Sequence, residues 1–471
     1  MHEQTKEITE IILKAKAKAI KETSHEPEPD LTKSINWPAD CTVGPGLEGA
    51  IACETRIGYV NGAKGWLIYR GYNIFDLCAH ATFEEVSYLL MYGYLPSVSQ
   101  LSAFKKKLIE YRNVHKTKRL LMSFPVEKMH PMGALRLGTN LMRQEFTDAD
   151  REDYVSNMVS IISVDEDSIP METPPMGQER AIYEFSRSQR EKRISDDLKH
   201  ATGFESCFHL LSGVAALTGA ISMLRQGVLP VESDPELGFA ANLIYTMTGK
   251  RPTPIEERIM DVSLILHADH GMNASTFASM VVASTLSDVY LSVGSGIAAL
   301  QGPLHGGANE RVIEMLEDIG SVENVADWFA KKRAKKEKVM GFGHRVYKAY
   351  DPRALVLGPL AKYMTKENEK GKKLLKIAKA LEKEVVSSLG KEKKIFPNVD
   401  FYSGIVYAAM GISSEFYTPL FAVSRVAGWT ARVQEYMRNN RIFRPRAMYV
   451  GAFDKELKPI EQRGSKKNSK K

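Results

Sequence analysis

Apolar residues recur at helical spacing through most of the chain, and this periodicity limits the possible folds more than any other feature. The spacing occurs in residues 86–90, 101–111, 311–319 and 374–385. Residues three and four positions apart lie on one face of a helix, so each stretch predicts a helix with one buried side. The sequence therefore favours an all-α protein built from many packed helices.

Local signals predict where several of these helices begin and end. Thr82 and Glu85 form a capping box, in which each side chain can accept a hydrogen bond from a free backbone N–H group of the other residue. Gly93 and Gly320 follow apolar periodic stretches and are typical of helix ends. Thr418 precedes a proline that suits a first helical turn, so we predict that its hydroxyl caps the last long helix.

A clear β signal occurs in residues 57–72. Apolar residues alternate with other residues on both sides of Asn61-Gly62, a pair typical of hairpin turns. We therefore predict a short β-hairpin near the N-terminus, with a loop longer than two residues.

The composition is that of a soluble globular protein. The chain has 471 residues, enough for two domains, and is 44% hydrophobic and 26% charged. No run approaches the roughly 20 uninterrupted apolar residues of a membrane span, and the N-terminus lacks an apolar signal core. The four cysteines show neither paired nor metal-type spacing, so we expect a cytoplasmic protein with free thiols and no membrane partner.

The positive charge of the chain is concentrated in one stretch. The net charge is +7, and residues 308–411 contain 21 Lys and Arg against 14 Asp and Glu, which alone gives +7. A basic domain implies an anionic partner, for which nucleic acid and a phosphorylated cofactor are both candidates. A lysine run such as residues 331–336 can also be a solvated helix face without a partner.

Three segments depart from the helical pattern. Residues 1–42 are polar, and we expect a frayed helix followed by an extended arm. Residues 160–206 combine an acidic run, prolines and mixed charges, which indicates a long insertion. Residues 456–471 form a basic tail that we expect to be solvated and disordered.

Residues 267–270 contain two histidines and an aspartate and precede a helix that Asn273 or Ser275 can cap. His270 then lies close to a helix N-terminus, and its neutral ring can donate a hydrogen bond to a carboxylate or carbonyl there. A metal site made of the two histidines and the aspartate is an alternative, but no further ligand set occurs nearby. For His267 a buried structural role is favoured.

Two further histidines adjoin glycines. His305 precedes two glycines that allow a ligand to approach closely, and His344 follows residues 341–343, a Gly-Phe-Gly turn that can present N–H groups to an anion. Either histidine can instead be a structural turn residue. Arg353 follows soon after, and its forked guanidinium suits carboxylates, although a surface ion pair is the alternative.

Asp400 follows a Pro-Asn-Val sequence and can be a turn or capping residue. If it is buried beside apolar groups, its pKa rises from about 3.9 and it can act as a general base near neutral pH. An aspartate base, two histidine donors and several arginines fit carbon–carbon bond formation or cleavage on a carboxylate substrate. In such a reaction the base takes a proton from carbon next to a carbonyl, and a histidine stabilises the enolate oxygen.

Several ordered motifs together resemble the citrate synthase family. They are Gly46-Leu47-Glu48-Gly49, Tyr69-Arg70-Gly71-Tyr72, His267-Ala268-Asp269-His270, residues 302–309, residues 341–347, Asp351-Pro352-Arg353, Pro397-Asn398-Val399-Asp400, residues 421–429 and Arg444-Pro445-Arg446. The resemblance runs from about Gly46 to Phe453 and is broken by the insertion. It departs from the family after His270, where many members carry a Glu and this chain has Gly271-Met272.

The resemblance implies an almost entirely helical fold with the active site between two domains. Residues 43–307 and 411–455 would form the large domain and residues 308–410 the small domain. It also implies a homodimer in which each site is completed by the neighbouring subunit. The expected substrates are acetyl-CoA and oxaloacetate, with no permanently bound cofactor, no metal and no nucleic-acid partner.

The resemblance further implies roles for individual residues. His305 resembles the residue that holds the thioester carbonyl of acetyl-CoA, Asp400 the base that removes a methyl proton, and His344 the group that polarises the oxaloacetate ketone. The expected ligands of the oxaloacetate carboxylates are His270, Arg353, Arg425 and, from the second subunit, Arg444. The residues expected to meet CoA are Gly341, Phe342, Gly343, Asn398, Lys391 and Lys393.

Two alternatives remain beside citrate synthase activity. A 2-methylcitrate synthase would use propionyl-CoA, and the motifs do not separate the two acyl groups, since one methylene changes discrimination only about 10- to 200-fold. A non-catalytic CoA- or nucleic-acid-binding relative would use the basic stretch as its binding surface. The intact His305, His344 and Asp400 argue against that second alternative.

Overall fold

The structure of the protein, a computed structural model, describes residues 5–26, 43–145, 203–445 and 460. The predicted extended arm, most of the predicted insertion and nearly all of the predicted tail lie outside the described residues. Residues 203–206, which the prediction placed in the insertion, are instead the first residues of a long helix.

The described residues form helices and one small sheet, which confirms the predicted all-α class with a minor β element. In chain order the elements are α1 (Lys6–Glu22), β1 (Gly58–Asn61), β2 (Trp66–Tyr69), β3 (Tyr72–Asn73), α2 (Ile74–His80), α3 (Phe83–Tyr92), α4 (Val98–Glu110), α5 (His115–Leu121), α6 (Pro131–Leu141), α7 (Gly203–Arg225), α8 (Phe239–Thr248), α9 (Pro254–His267), α10 (Ala274–Ser284), α11 (Val289–Leu300), α12 (Ala308–Ile319), α13 (Val325–Ala334), α14 (Pro352–Met364), α15 (Glu369–Val385), α16 (Lys391–Lys393), α17 (Val399–Ala409) and α18 (Tyr417–Met437). Short 3-10 turns lie at Pro45–Leu47, Val126–Lys128, Met142–Glu145 and Ser414–Phe416, and a π turn at Val386–Gly390 follows α15.

The predicted hairpin is present and gains a third strand. β1 pairs antiparallel with β2, with Asn61 opposite Trp66, and β2 pairs with β3. The loop between β1 and β2 packs on the segment that carries His344, because the Lys348 N–H donates to the Gly62 carbonyl (2.9 Å). A Cβ at Gly62 would overlap the carbonyl oxygen of Val346, so glycine permits this close approach.

The helix ends predicted from capping signals are confirmed for α3 and α12, and the predicted cap of α18 is wrong. Thr82 and Glu85 cap α3 reciprocally, and Gly93 and Gly320 end α3 and α12 with positive φ angles of 92° and 74°. The prediction that Thr418 caps α18 is wrong, because the helix already begins at Tyr417. The buried Thr418 hydroxyl instead lies 2.7 Å from the Glu310 carboxylate, so a tertiary contact replaces the cap.

The helices fall into two packed groups. In the first, α7 contacts α6, α8 and α18, and α10 packs on α11. In the second, which spans residues 308–409, α14 packs on α17 and α13 packs on α15. The groups meet where α14 contacts α9 and where α12 and α17 contact α18. The site described below is built from residues on both sides of this junction.

One described helix has the length and apolar composition of a membrane span. This stretch, Phe204–Arg225, makes up nearly all of α7, and 94% of its most apolar window is buried inside the fold. The neighbouring helices therefore cover the apolar surface of α7.

The first helix packs firmly rather than fraying as the sequence suggested. α1 buries Ile8 and Ile12 completely, and the Thr9 hydroxyl donates to the Ala79 carbonyl at the end of α2 (3.2 Å). Lys16 forms an ion pair with Asp76 of α2 (2.6 Å). α1 also packs on α14, so it contacts both groups of helices.

Candidate active site

His305 lies in the turn after α11, and the first turn of α10 fixes its ring. The Ser275 N–H donates to Nε2 of His305 (3.2 Å), and the Ser275 hydroxyl lies 2.8 Å from the same nitrogen. Because Nε2 accepts a hydrogen bond, the neutral ring carries its proton on Nδ1. Burial, and then the charge of Arg425, lower the pKa of His305 to about 4, so the ring is a neutral N–H donor at pH 7.

The helix that follows residues 267–270 is capped by Asn273, which settles the choice that the sequence left open. The Asn273 side-chain oxygen accepts the N–H of Thr276 (3.1 Å). Ser275, the other candidate for the cap, contacts His305. His270 precedes this cap by three residues and is 8% exposed. Burial, followed by the charges of Arg353 and other neighbours, lowers the pKa of His270 well below its usual range.

The metal-site alternative for residues 267–270 does not fit the observed contacts. Asp269 is fully buried, and both of its oxygens accept hydrogen bonds from Arg432 (2.7 and 2.8 Å). Nδ1 of His267 lies 2.7 Å from the Ser263 carbonyl, and that ring is buried, as the sequence favoured. Within the described parts of the chain, no group of three or more His, Cys, Asp or Glu side chains is arranged to hold a metal ion.

His344 lies in an irregular segment between α13 and α14, where the backbone sets its tautomer. The N–H groups of Val346 (3.0 Å) and Tyr347 (3.1 Å) both donate to Nδ1 of His344. The neutral ring therefore carries its proton on Nε2. Burial lowers the pKa of His344 to about 4, further lowered by Arg353 and Lys348 and opposed by Asp351. His344 and His270 are adjacent, with ring centroids 5.1 Å apart.

The Gly-Phe-Gly turn before His344 is closed by hydrogen bonds from Asn398. The Asn398 N–H donates to the Gly341 carbonyl (2.8 Å), and its side-chain amide donates to the Gly343 carbonyl (3.0 Å). Gly341 has φ of 77°, and a Cβ there would crowd Phe401. The expectation that the turn offers its N–H groups to an anion is wrong for Gly343, whose N–H already donates to a backbone carbonyl (2.9 Å).

The two lysines expected to meet CoA lie in α16, shortly before Asn398 in the sequence. Lys393 is exposed, and the description of Lys391 covers its backbone only. Arg444 is likewise exposed, in the segment after α18. The contacts that join the other site residues do not include Lys393 or Arg444.

Arg353 is buried and held by Asp351, a residue that sequence reasoning did not assign to the site. Nε and Nη2 of Arg353 donate to the two Asp351 oxygens (2.9 and 2.8 Å), and the side chains are only 3% and 1% exposed. Asp351 also caps α14 and accepts the Val399 N–H at the start of α17 (3.2 Å). The surface ion pair considered from the sequence is therefore wrong. An Asp-Pro pair before a helix is a capping signal that could have identified Asp351.

Asp400 lies in the first turn of α17 and is buried, and no cation from the described residues is bound to its carboxylate. Its Oδ1 has no hydrogen-bond partner among the described residues. Burial, and then the charge of Asp351, raise the pKa of Asp400 to about 7, against the opposing charges of Arg353 and Arg425. The helix N-terminus favours a carboxylate by only about 0.3–1 kcal/mol, so burial dominates.

Arg425 of α18 joins the two halves of the site. Its guanidinium is buried, its Nε donates to the His267 carbonyl (2.5 Å), and its Nη2 has no partner among the described residues. Its positive charge lowers the pKa values of His305, His270 and Asp400, so it acts electrostatically on residues from both groups of helices. A buried cation with an unused N–H group is suited to an anionic ligand such as a carboxylate.

Comparison with known proteins gives a consistent result over most of the chain. The family model described as citrate synthase, C-terminal domain, matches residues 46–446. A citrate synthase of Acidithiobacillus ferridurans is 37% identical over 431 residues, which cover 90% of this chain and all of that protein. A 2-methylcitrate synthase of Shewanella oneidensis is 35% identical, over 89% of this chain and 98% of that protein.

A solved structure shares the fold as well. Citrate synthase from Thermoplasma acidophilum, in a ternary complex with carboxymethyl coenzyme A and oxaloacetate, superposes with a TM-score of 0.73 at 30% identity. The match covers 88% of this chain and 97% of that protein.

The buried ion pair gives a prediction about stability. Replacing Asp351 by Asn should destabilise the protein by about 3–5 kcal/mol, because Arg353 would be left buried without its anionic partner. Unfolding in urea, followed by circular dichroism, measures the change. Glu369→Gln, which breaks an exposed ion pair with Lys372, is the matched control and should leave the unfolding midpoint unchanged. Equal midpoints for the two variants would contradict the structural role of Asp351.

Proposed function

The chain belongs to the citrate synthase family, and from this premise we propose that it condenses acetyl-CoA with oxaloacetate and water to give citrate and CoA, the first step of the tricarboxylic acid cycle. The observation that carries the proposal is the buried Asp400 carboxyl, with a pKa of about 7, in a site that also holds two neutral histidine donors. The enzyme is an acyltransferase of the type that converts the acyl group to an alkyl group on transfer.

Proton removal from the acetyl methyl group is the first step. The Asp400 carboxylate takes the proton from carbon, and the electron pair moves towards the thioester oxygen. Nδ1–H of His305 donates to that oxygen and stabilises the enol or enolate. A base with a pKa near 7 is about half ionised at neutral pH, and its ionised form is basic enough to accept a proton.

Carbon–carbon bond formation is the second step. The enol carbon attacks the oxaloacetate ketone, and negative charge develops on the ketone oxygen. Nε2–H of His344 is the hydrogen-bond donor proposed for that oxygen. The proton that the oxygen finally takes up replaces the one that Asp400 removed from carbon, so no net proton is gained or lost. His270, Arg353 and Arg425 hold the substrate carboxylates, and hydrolysis of the resulting citryl thioester then releases CoA.

CoA is proposed to bind along the second group of helices as a co-substrate, with no permanently bound cofactor and no metal. The turn of residues 341–343 and Asn398 are joined by two hydrogen bonds and adjoin His344. Lys391 and Lys393 are the residues proposed for the CoA phosphates. The net charge of +7 in residues 308–411 supports an anionic co-substrate there.

The assembly and location are proposed from the family and the composition. We propose a cytoplasmic homodimer without nucleic-acid or membrane partners, in which the exposed Arg444 completes the site of the neighbouring subunit. We also propose that residues 43–307 with 411–455 and residues 308–410 act as two domains that close over the substrates. The packing of α12–α17 mainly on one another supports this division.

Acyl selectivity tests the proposal most simply. We expect kcat/KM with oxaloacetate to be higher for acetyl-CoA than for propionyl-CoA, by a factor within about 10–200, the range for one methylene. Release of the CoA thiol measures both reactions, and an assay without oxaloacetate is the control. Higher kcat/KM for propionyl-CoA would instead assign 2-methylcitrate synthase activity, the name of the relative from Shewanella. Absence of thiol release with either substrate would overturn both assignments.

The pKa of Asp400 predicts the pH dependence. Burial raises this pKa to about 7, and the reaction needs the ionised form, so activity should be lost as the pH falls through that value. We expect kcat/KM for acetyl-CoA at saturating oxaloacetate to fall about tenfold per pH unit below 7 and to level off above it. Recovery of activity after return to pH 8 controls for unfolding. A profile that is flat from about pH 5.5 to 8 would remove Asp400 from the role of base.

A further inference from the structure

Tyr347 occupies a position at the centre of the site without a role in the steps described above. Its side chain is 2% exposed. Its ring centroid lies 4.8 Å from that of His344 and 5.4 Å from that of His270, and the Arg353 guanidinium lies 5.9 Å from the same ring. Three residues proposed to bind oxaloacetate therefore surround one tyrosine.

The polar groups of Tyr347 are directed at two of these neighbours. Its backbone N–H donates to Nδ1 of His344 (3.1 Å), which fixes the tautomer of that ring. Its hydroxyl lies 3.2 Å from Nε2 of His270. The structure thus links both imidazoles to one residue, through the backbone for His344 and through the side chain for His270.

The direction of the second hydrogen bond follows from the chemistry of the two groups. A phenol is a better hydrogen-bond donor than a neutral imidazole N–H, and an imidazole nitrogen is a better acceptor than a phenol oxygen. The Tyr347 hydroxyl therefore donates to Nε2 of His270. The neutral ring of His270 then carries its own proton on Nδ1.

We propose that Tyr347 is a positioning residue for the dicarboxylate substrate, because its hydroxyl fixes the orientation and the tautomer of His270. This inference rests on the proposed function, since it assigns His270 to a carboxylate of oxaloacetate. Without the hydroxyl, the ring of His270 can rotate or exchange tautomers, and the substrate must order it on binding. The affinity for oxaloacetate then falls while the chemical step changes little.

The test is Tyr347→Phe, which removes one oxygen and keeps the ring contacts with His344 and Arg353. A hydrogen bond of ordinary strength corresponds to a loss of about 3- to 10-fold in affinity for oxaloacetate, with kcat changed less than about twofold. Tyr350→Phe is the matched control. Tyr350 lies three residues away, and its ring contacts Phe396 and Lys18 rather than the site histidines. Unchanged oxaloacetate affinity in Tyr347→Phe would overturn the inference.

A spectroscopic readout separates positioning from general loss of structure. Nitrogen-15 spectra of histidine-labelled protein without substrate should show His270 protonated on Nδ1 in the wild type and as a mixture of tautomers in Tyr347→Phe. His344 should keep its tautomer in both proteins, because a backbone N–H sets it. Identical His270 spectra in the two proteins would overturn the inference, even if Tyr347→Phe had lost activity.

A double-mutant cycle shows whether Tyr347 acts through His270. In a His270→Gln background, Tyr347→Phe should cause no further loss of oxaloacetate affinity, whereas independent, multiplying losses would overturn the inference.

The experiments distinguish a failure of the proposed function from a failure of this inference. A wild-type protein that does not bind oxaloacetate contradicts the function, while wild-type binding with no effect of Tyr347→Phe contradicts only the positioning role.

Discussion

Three buried aspartates differ in whether an arginine is bound to the carboxylate, and the candidate site depends on this difference. Asp269 and Asp351 are as buried as Asp400, and in all three burial by itself acts to raise the pKa. For Asp269 and Asp351, a bidentate arginine more than offsets the effect of burial, so their pKa values lie below the usual range. Asp400 has no such partner among the described residues, and its pKa rises to about 7. The same fold therefore keeps two carboxylates charged as structural anchors and leaves the third able to exchange a proton.

The two anchors also bring separate parts of the chain together. The pair formed by Asp269 and Arg432 joins the end of α9 to α18, across 163 residues of sequence. Asp351 joins Arg353 on α14 to the first residue of α17, directly before Asp400. The side chains proposed to do the chemistry are thus positioned by charged pairs as well as by apolar packing. The rings of His305 and His344 are fixed by a different interaction, since backbone N–H groups determine the tautomer of each ring.

Much of the fold could be predicted from the sequence because the signals are local. Apolar spacing predicted the helices, and the capping box at Thr82 fixed the start of α3. The prediction that Thr418 caps α18 failed because its hydroxyl bonds to Glu310, which is 108 residues away in the sequence. No local sequence pattern reveals such a distant partner. The residues proposed to react were identified from their motifs, but Ser275 could not be recognised as the partner of His305. That contact forms because the turn after α11 lies against the first turn of α10, and the two residues are 30 positions apart in the sequence.

Exchange of the acetyl methyl hydrogens measures whether Asp400 removes a proton from carbon, as we propose. Acetyl-CoA is incubated with the enzyme in D₂O, with a non-reactive dicarboxylate analogue in place of oxaloacetate, and deuterium in the methyl group is measured by mass spectrometry. The wild type should exchange these hydrogens, while Asp400→Asn should bind oxaloacetate normally and lose most of the exchange. Exchange by Asp400→Asn at the wild-type rate would contradict the proposed role of Asp400 as the base.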